Sequence, residues 1–141
     1  MTITNIDWRP ITNQPEFYKE LIEKGIFSNK SYIFGVALAL GYVFKRRSAE
    51  QPNHKDGGFV RIMPVYTRGL VDYPLFLDFT NFIFDHYAIG DTTAKKFQDM
   101  DKIAESGIEF LMSESEKQGL PNIDMSQIIQ TVKDQTQPAT T

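Results

Sequence analysis

Residues 32–44, YIFGVALALGYVF, form a run of thirteen residues without a charged side chain, and Lys45, Arg46 and Arg47 follow it directly. Such a run is too short to cross a bilayer, which takes about 20 residues. It suits a helix that is buried on most of its circumference, and its length and its Ala and Leu content favour this interpretation. A buried strand is the alternative, because the periodicity of a short apolar run does not separate the two.

The residues within and before this run indicate how a helix here begins and packs. Ser28 and Asn29 precede it and are good N-cap residues, because their side-chain oxygens can accept hydrogen bonds from the free amides of the first turn. Gly35 and Gly41 lie inside it, where each costs about 1 kcal/mol relative to Ala. We therefore expect a neighbouring element to approach the helix closely at these glycines.

Periodic apolar residues predict further helices on both sides of the central one. They fall at 14–24, 73–87, 93–118 and 124–133. Asn13 is the expected cap of the first, and Gly107 marks a kink or a close contact in the longest. Residues 59–66, FVRIMPVY, are β-prone but contain a proline, which indicates a short β-hairpin or an extended segment. The sequence thus predicts a mainly α fold, a compact domain of about five helices around a buried central helix.

The two ends of the chain lack this helical pattern. Residues 1–13 are interpreted as an N-terminal arm, since Pro10 blocks a continuing helix, and Trp8 is expected to anchor the arm on the body or on a partner. Residues 14–133 then form a single helical domain, and residues 134–141 form a flexible polar tail. No basic region followed by an apolar core begins the chain, so no signal peptide is expected, and the absence of cysteine fits a cytoplasmic protein.

The formal net charge of −3 conceals an uneven distribution. Residues 45–68 carry six basic and two acidic side chains, whereas residues 69–141 carry five basic and twelve acidic ones. This basic segment predicts contact with nucleic-acid phosphates or with an acidic protein surface, which includes the chain's own C-terminal half. Tyr42, Phe59 and Tyr66 are placed to add aromatic contacts. The candidate binding residues are Lys45, Arg46, Arg47, Lys55, Arg61 and Arg68.

Motifs that would indicate catalysis are missing from the sequence. Neither a GxxxxGK[ST] phosphate loop nor a GxGxxG fingerprint occurs, and the lack of cysteine excludes a thiolate zinc site and a cysteine nucleophile. His54 and His86 do not share a metal-ligand spacing. His86 with Asp78 and Asp85 could form an acid/base or metal cluster, but a histidine bonded to a backbone carbonyl is the simpler interpretation.

The long helix carries paired carboxylates, Asp99 with Asp101 and Glu105 with Glu109. We assign all four to its solvent-facing side, because a solvated acidic face explains them without catalysis. No catalytic residue, no metal and no cofactor is therefore predicted.

Residues 26–47, IFSNKSYIFGVALALGYVFKRR, resemble a family of small proteins encoded beside DNA phosphorothioation (Dnd-type) defence systems, in which the motif runs roughly as F…K…F..A.ALGY..G.R. Residues 103–119, IAESGIEFLMSESEKQG, look like the closing helix of that family. The matching positions are Phe27, Lys30, Phe34, Ala37, Ala39, Leu40, Gly41, Tyr42 and either Arg46 or Arg47.

This resemblance implies an accessory role in a bacterial DNA-modification or anti-phage system and implies no particular reaction. Two hypotheses follow. The first is a non-catalytic accessory subunit that works by contacts with other proteins of the system, or with copies of itself. The second is a small DNA-binding regulator that uses the basic segment 45–68.

Overall fold

The computed structural model describes residues 10–52, 60–61 and 74–118, and within them the fold is mainly helical, as predicted. The elements are β1 Ile11–Thr12, α1 Pro15–Glu23, α2 Lys30–Val43, β2 Val60–Arg61, α3 Pro74–His86 and α4 Thr93–Gln118. The predicted helix at 124–133, the tail at 134–141 and most of the N-terminal arm lie outside the described residues. No helix in the described ranges is both long enough and apolar enough to pass through a membrane.

Helix α2 is the centre of the core, with α1, α3 and α4 packed around it. Every residue from 33 to 41 is buried, so the uncharged run is a helix and the strand alternative is wrong. Asn29 is its N-cap, and its Oδ1 accepts a 2.8 Å hydrogen bond from the amide of Tyr32. The helix begins at Lys30 because this cap satisfies an amide that the first turn leaves free.

Two glycines bring α2 and α4 into backbone contact. A Cβ atom on Gly41 would overlap the carbonyl oxygen of Ile103, and one on Gly107 would overlap the carbonyl oxygen of Ala37. The pairing of 37 with 107 and of 41 with 103 shows that the two helices run antiparallel. The close approach expected at Gly41 is therefore confirmed, and Gly107 marks a contact.

Helix α1 begins differently from the sequence prediction. Gln14, not Asn13, occupies its N-cap position and makes no side-chain cap bond. The amide of Gln14 instead donates to the hydroxyl of Thr12 at 3.0 Å. The predicted cap is wrong, because the helix begins at Pro15 and Asn13 lies one residue too early to cap it. Gly25, at a φ of 73°, ends the helix by allowing the left-handed turn.

Of the segment 59–66, the structure describes only Val60–Arg61. Val60–Arg61 pairs antiparallel with Ile11–Thr12, so its described part joins the far N-terminal side of the chain. Sequence patterning could not identify this partner, because a strand of two residues carries no periodicity.

The acidic residues of α4 do not all face solvent. Asp101 is only 5% exposed and Glu105 only 3% exposed, so their assignment to the solvent side is wrong. Glu105 is buried because it holds β1 on the helix. Its Oε1 accepts from the hydroxyl of Thr12 at 2.7 Å, and its Oε2 accepts from the amide of Asn13 at 3.1 Å.

Candidate functional site

The chain makes a left-handed turn where α2 ends. Lys45 has a φ of 54°, and its amide donates to the carbonyl of Tyr42 at 3.1 Å. The amide of Arg46 donates to the carbonyl of Gly41 at 2.9 Å, which completes a Schellman motif. Glycine usually occupies this position, because a side chain there is strained by about 1 kcal/mol or more. The strained turn redirects the chain back along α4.

Two hydrogen bonds fix the redirected segment against α4. The amide of Ser48 donates to the carbonyl of Lys102 at 3.0 Å. The hydroxyl of Ser106 shares its one proton between the carbonyl of Ile103 at 2.6 Å and that of Arg46 at 3.1 Å. The backbone of residues 45–49 therefore runs beside α4. This path of the backbone places the side chain of Arg46 in a cleft beside α4.

A cleft of about 620 Å³ lies between the backbone of residues 45–49 and the outer face of α4. We name it the α2–α4 cleft. Its α4 side is a single stripe at helical spacing from Ser106 to Lys117, which spans about 16 Å. Such a length accommodates three turns of a helix or about five residues of an extended chain. The lining residues are Lys45, Arg46, Arg47, Ser48, Ala49, Ser106, Glu109, Phe110, Ser113, Glu114 and Lys117.

Two aromatic rings, one exposed and one partly buried, are in contact at the border of the cleft. Phe44 is 44% exposed, and its ring centroid lies 4.9 Å from that of Phe110, with the rings tilted by 41°. The uncharged run 32–44 predicts a helix that is buried on most of its circumference, but Phe44 is exposed because α2 ends at Val43. The ring beyond the helix end packs on the surface of α4.

Arg47 is held by an ion pair inside the fold. Its Nε and Nη2 lie 2.8 and 2.9 Å from the two carboxylate oxygens of Asp99, and Nη1 donates to the hydroxyl of Tyr87 at 3.2 Å. The hydrogen bond to Asp99 raises the pKa of Arg47 above its ordinary value. Asp99 also accepts from the amide of Ile89 at 2.8 Å. The guanidinium of Arg47 therefore ties the end of α2 to α3 and α4.

Lys45 is also engaged within the molecule. Its ammonium nitrogen lies 3.4 Å from the ring centroid of Tyr42 and 5.3 Å from that of Tyr87. The rings of Tyr42 and Tyr87 meet edge to face at 4.9 Å. This cation–π contact partly satisfies the charge of Lys45 within the fold. The contact of Tyr42 with a bound partner stays a prediction.

Arg46 differs from these two neighbours. Its side chain is exposed and lines the cleft, and its guanidinium makes no hydrogen bond or ion pair with the residues that the structure describes. Glu109 and Glu114 line the same cleft, and Glu114 lies 3.8 Å from the ammonium of Lys117. The site thus combines one available guanidinium with carboxylates of the opposite charge.

The predicted basic segment is only partly brought together. Lys45, Arg46 and Arg47 meet at the end of α2, whereas Arg61 lies in β2 opposite Ile11. Lys55, Arg68 and Trp8 lie outside the described residues. Sequence reasoning missed Phe110, Ser106 and Lys117, and their spacing on the outer face of α4 was the available signal.

The histidine cluster considered from the sequence is not assembled in the part of the chain that the structure describes. His86, Asp78 and Asp85 are all exposed on α3, and His86 packs beside the ring of Phe82 at 5.3 Å. Among the described side chains, no three histidine or carboxylate groups converge in a way that could hold a metal ion. His54 lies outside this part.

No family model matches the chain, and no curated protein or solved structure matches it either. The resemblance to the phosphorothioation-associated family therefore stays a prediction.

Proposed function

We propose that this protein is a non-catalytic accessory subunit that acts through protein–protein contacts at the α2–α4 cleft. The observation that carries the proposal is the exposed ring of Phe44, which packs on the partly buried ring of Phe110 and is bordered by charges of both signs. Protein interfaces commonly combine an aromatic centre with a charged rim, and a few aromatic or arginine side chains supply most of the binding energy.

The biological setting of this proposal comes from the sequence resemblance. The partners are other proteins of a bacterial DNA-modification or anti-phage defence system, and the complex works in the cytoplasm. The protein contributes a docking surface to such a complex, and the reaction belongs to another subunit.

Co-expression with the proteins encoded by the adjacent genes tests the proposal. We expect one of them to copurify with this chain in stoichiometric amounts, and Phe44→Ser to weaken that complex by at least about tenfold. Phe82→Ser is the matched control, because Phe82 is 43% exposed against 44% for Phe44 but lies on α3. Equal loss in both variants, or no copurifying protein, would contradict the proposal.

A small DNA-binding regulator is the second candidate, and the available guanidinium of Arg46 beside two rings favours it. Against it, Arg47 is bound to Asp99, and two glutamates line the cleft. The test is binding of a duplex DNA fragment at low and high salt, since each phosphate contact steepens the salt dependence. Arg46→Glu is the informative variant, because Arg47→Glu would also break the fold's own ion pair.

A further inference from the structure

We infer that the α2–α4 cleft takes a short partner segment with one carboxylate set close to one apolar side chain. This inference rests on the proposed function and names the chemistry of the segment that docks. The carboxylate pairs with Arg46, and the apolar side chain packs on Phe44 and Phe110.

The charge of the segment follows from the state of the four cations that line the cleft. Arg47 is bound to Asp99, Lys45 lies over Tyr42, and Lys117 pairs with Glu114, so each has a partner within the fold. Arg46 alone has none among the described residues. A guanidinium binds a carboxylate through two parallel hydrogen bonds, and apolar groups beside the pair strengthen it by excluding water.

The distance between the carboxylate and the apolar side chain of the segment follows from the helical spacing of residues on α4. The backbone carbonyl of Arg46 lies 3.1 Å from the hydroxyl of Ser106, and the ring of Phe44 lies 4.9 Å from that of Phe110. Ser106 and Phe110 are one helical turn apart, about 6 Å along the axis. In an extended segment, residues two positions apart point to the same side and are about 6.6 Å apart. In a helical segment the same separation lies between residues four positions apart.

The two glutamates of the cleft limit how acidic the segment can be. A nucleic-acid strand would carry successive phosphates past Glu109 and Glu114, and so would a run of carboxylates. A segment with a single carboxylate at the Arg46 end avoids this repulsion. The cleft therefore favours a protein segment over a nucleic acid.

Nuclear magnetic resonance titration of the full-length ¹⁵N-labelled protein with designed peptides tests this inference. The probe is a Gly/Ser peptide of about ten residues that carries one Glu two positions from one Phe. Its controls replace the Glu by Lys or the Phe by Ser, and a thymidine oligonucleotide of about ten nucleotides represents single-stranded DNA. We expect the Glu/Phe peptide to bind at least about tenfold more tightly than each control. We also expect it to shift the amides of 44–49 and 106–117.

A charge-reversal variant distinguishes a loss of recognition from a loss of folding. Arg46→Glu should lower the affinity for the Glu/Phe peptide by at least about tenfold and raise the affinity for the Lys/Phe peptide. A misfolded variant could not show this reversal. Lys19→Glu on the exposed face of α1 changes the charge equally and should change neither affinity. Equal affinity for the acidic and basic peptides, no measurable binding, or strongest binding to the oligonucleotide would overturn the inference.

Different experimental outcomes would contradict the proposed function and the chemistry inferred for the segment. If Phe44→Ser abolishes copurification of a co-encoded protein while the peptides show no charge preference, the docking site stands and its stated chemistry is wrong. If copurification does not depend on Phe44, the docking site itself is wrong.

Discussion

Gly107 of α4 lies against the carbonyl group of Ala37 in α2, closer than any side chain would allow. Gly41 makes the reciprocal contact with Ile103, so two glycines set the distance between the antiparallel helices. The position of Phe110 beside Phe44, and hence the α2–α4 cleft, depends on this close packing.

The glycine contact predicts that Gly107→Ala is destabilising, although alanine normally favours a helix. The new methyl group meets backbone atoms of α2, which cannot rotate away, so we expect the free energy of unfolding to fall by about 3 kcal/mol. Urea denaturation followed by circular dichroism measures this. Ser113→Ala, at an exposed position of the same helix, is the control and should change stability by less than about 0.5 kcal/mol. Equal stability of the two variants would show that the helices are not in contact at Gly107.

The ion pair between Arg47 and Asp99 predicts that lysine cannot replace the arginine. Lysine cannot form the two parallel bonds to Asp99 or the bond to Tyr87, so we expect Arg47→Lys to lower the free energy of unfolding by about 2 kcal/mol. The exposed pair of Lys95 with Asp91 is the control, and Lys95→Met should have an effect below about 0.5 kcal/mol. A double-mutant cycle with Asp99→Asn measures the coupling, and additive effects would contradict the pairing.

Burial of Glu105 predicts a pH dependence of stability. Burial raises the pKa of Glu105 to about 7, although the hydrogen bonds from Thr12 and Asn13 act in the opposite direction. In the unfolded chain a glutamate has a pKa of about 4.3. Between these values the folded state binds the additional proton, so the contribution of Glu105 to stability is lost as the pH rises through this window.

Glu105→Gln tests this pH dependence, because glutamine imitates the protonated acid and does not titrate. Relative to this variant, we expect the wild-type protein to lose about 2 kcal/mol in free energy of unfolding between pH 5 and pH 8. Urea denaturation at both pH values gives the difference. Parallel stability profiles of the two proteins would mean that the pKa of Glu105 is the same in the folded and unfolded states.

The left-handed conformation of Lys45 predicts opposite effects of two small replacements. Lys45→Gly and Lys45→Ala both remove the cation from the ring of Tyr42, but only glycine adopts a φ of 54° without strain. We therefore expect the glycine variant to be more stable than the alanine variant by about 1 kcal/mol. Thermal denaturation of both proteins measures the difference. An alanine variant as stable as the glycine variant would indicate that the turn at Lys45 is not fixed.

The helices were predictable where local signals agree. Asn29 before the uncharged run and Thr92 before α4 both cap their helices, and the bounds 93–118 predicted for α4 match those observed. The burial of Glu105 was not predictable, because the groups that bind its carboxylate come from the distant residues Thr12 and Asn13. Phe44 was misplaced for a related reason, since one turn decides whether a terminal residue faces the core.

The candidate site was only partly predictable. The three cations after the apolar run were found, but their separate roles depend on partners that are distant in sequence. Asp99 binds Arg47, whereas Arg46 finds no equivalent carboxylate in the described residues. Charge counting treats the two arginines as equivalent, and only the tertiary structure distinguishes them.

Amide hydrogen exchange of the protein, alone and in complex with a copurifying protein encoded by an adjacent gene, tests the central claim most directly. The proposed docking predicts that binding slows exchange in residues 44–49 and 106–117. It also predicts unchanged exchange around Phe82 on α3, which offers a comparably exposed ring outside the cleft. Slower exchange on α3 with none at the cleft, or no change anywhere, would contradict the claim that the protein docks through the α2–α4 cleft.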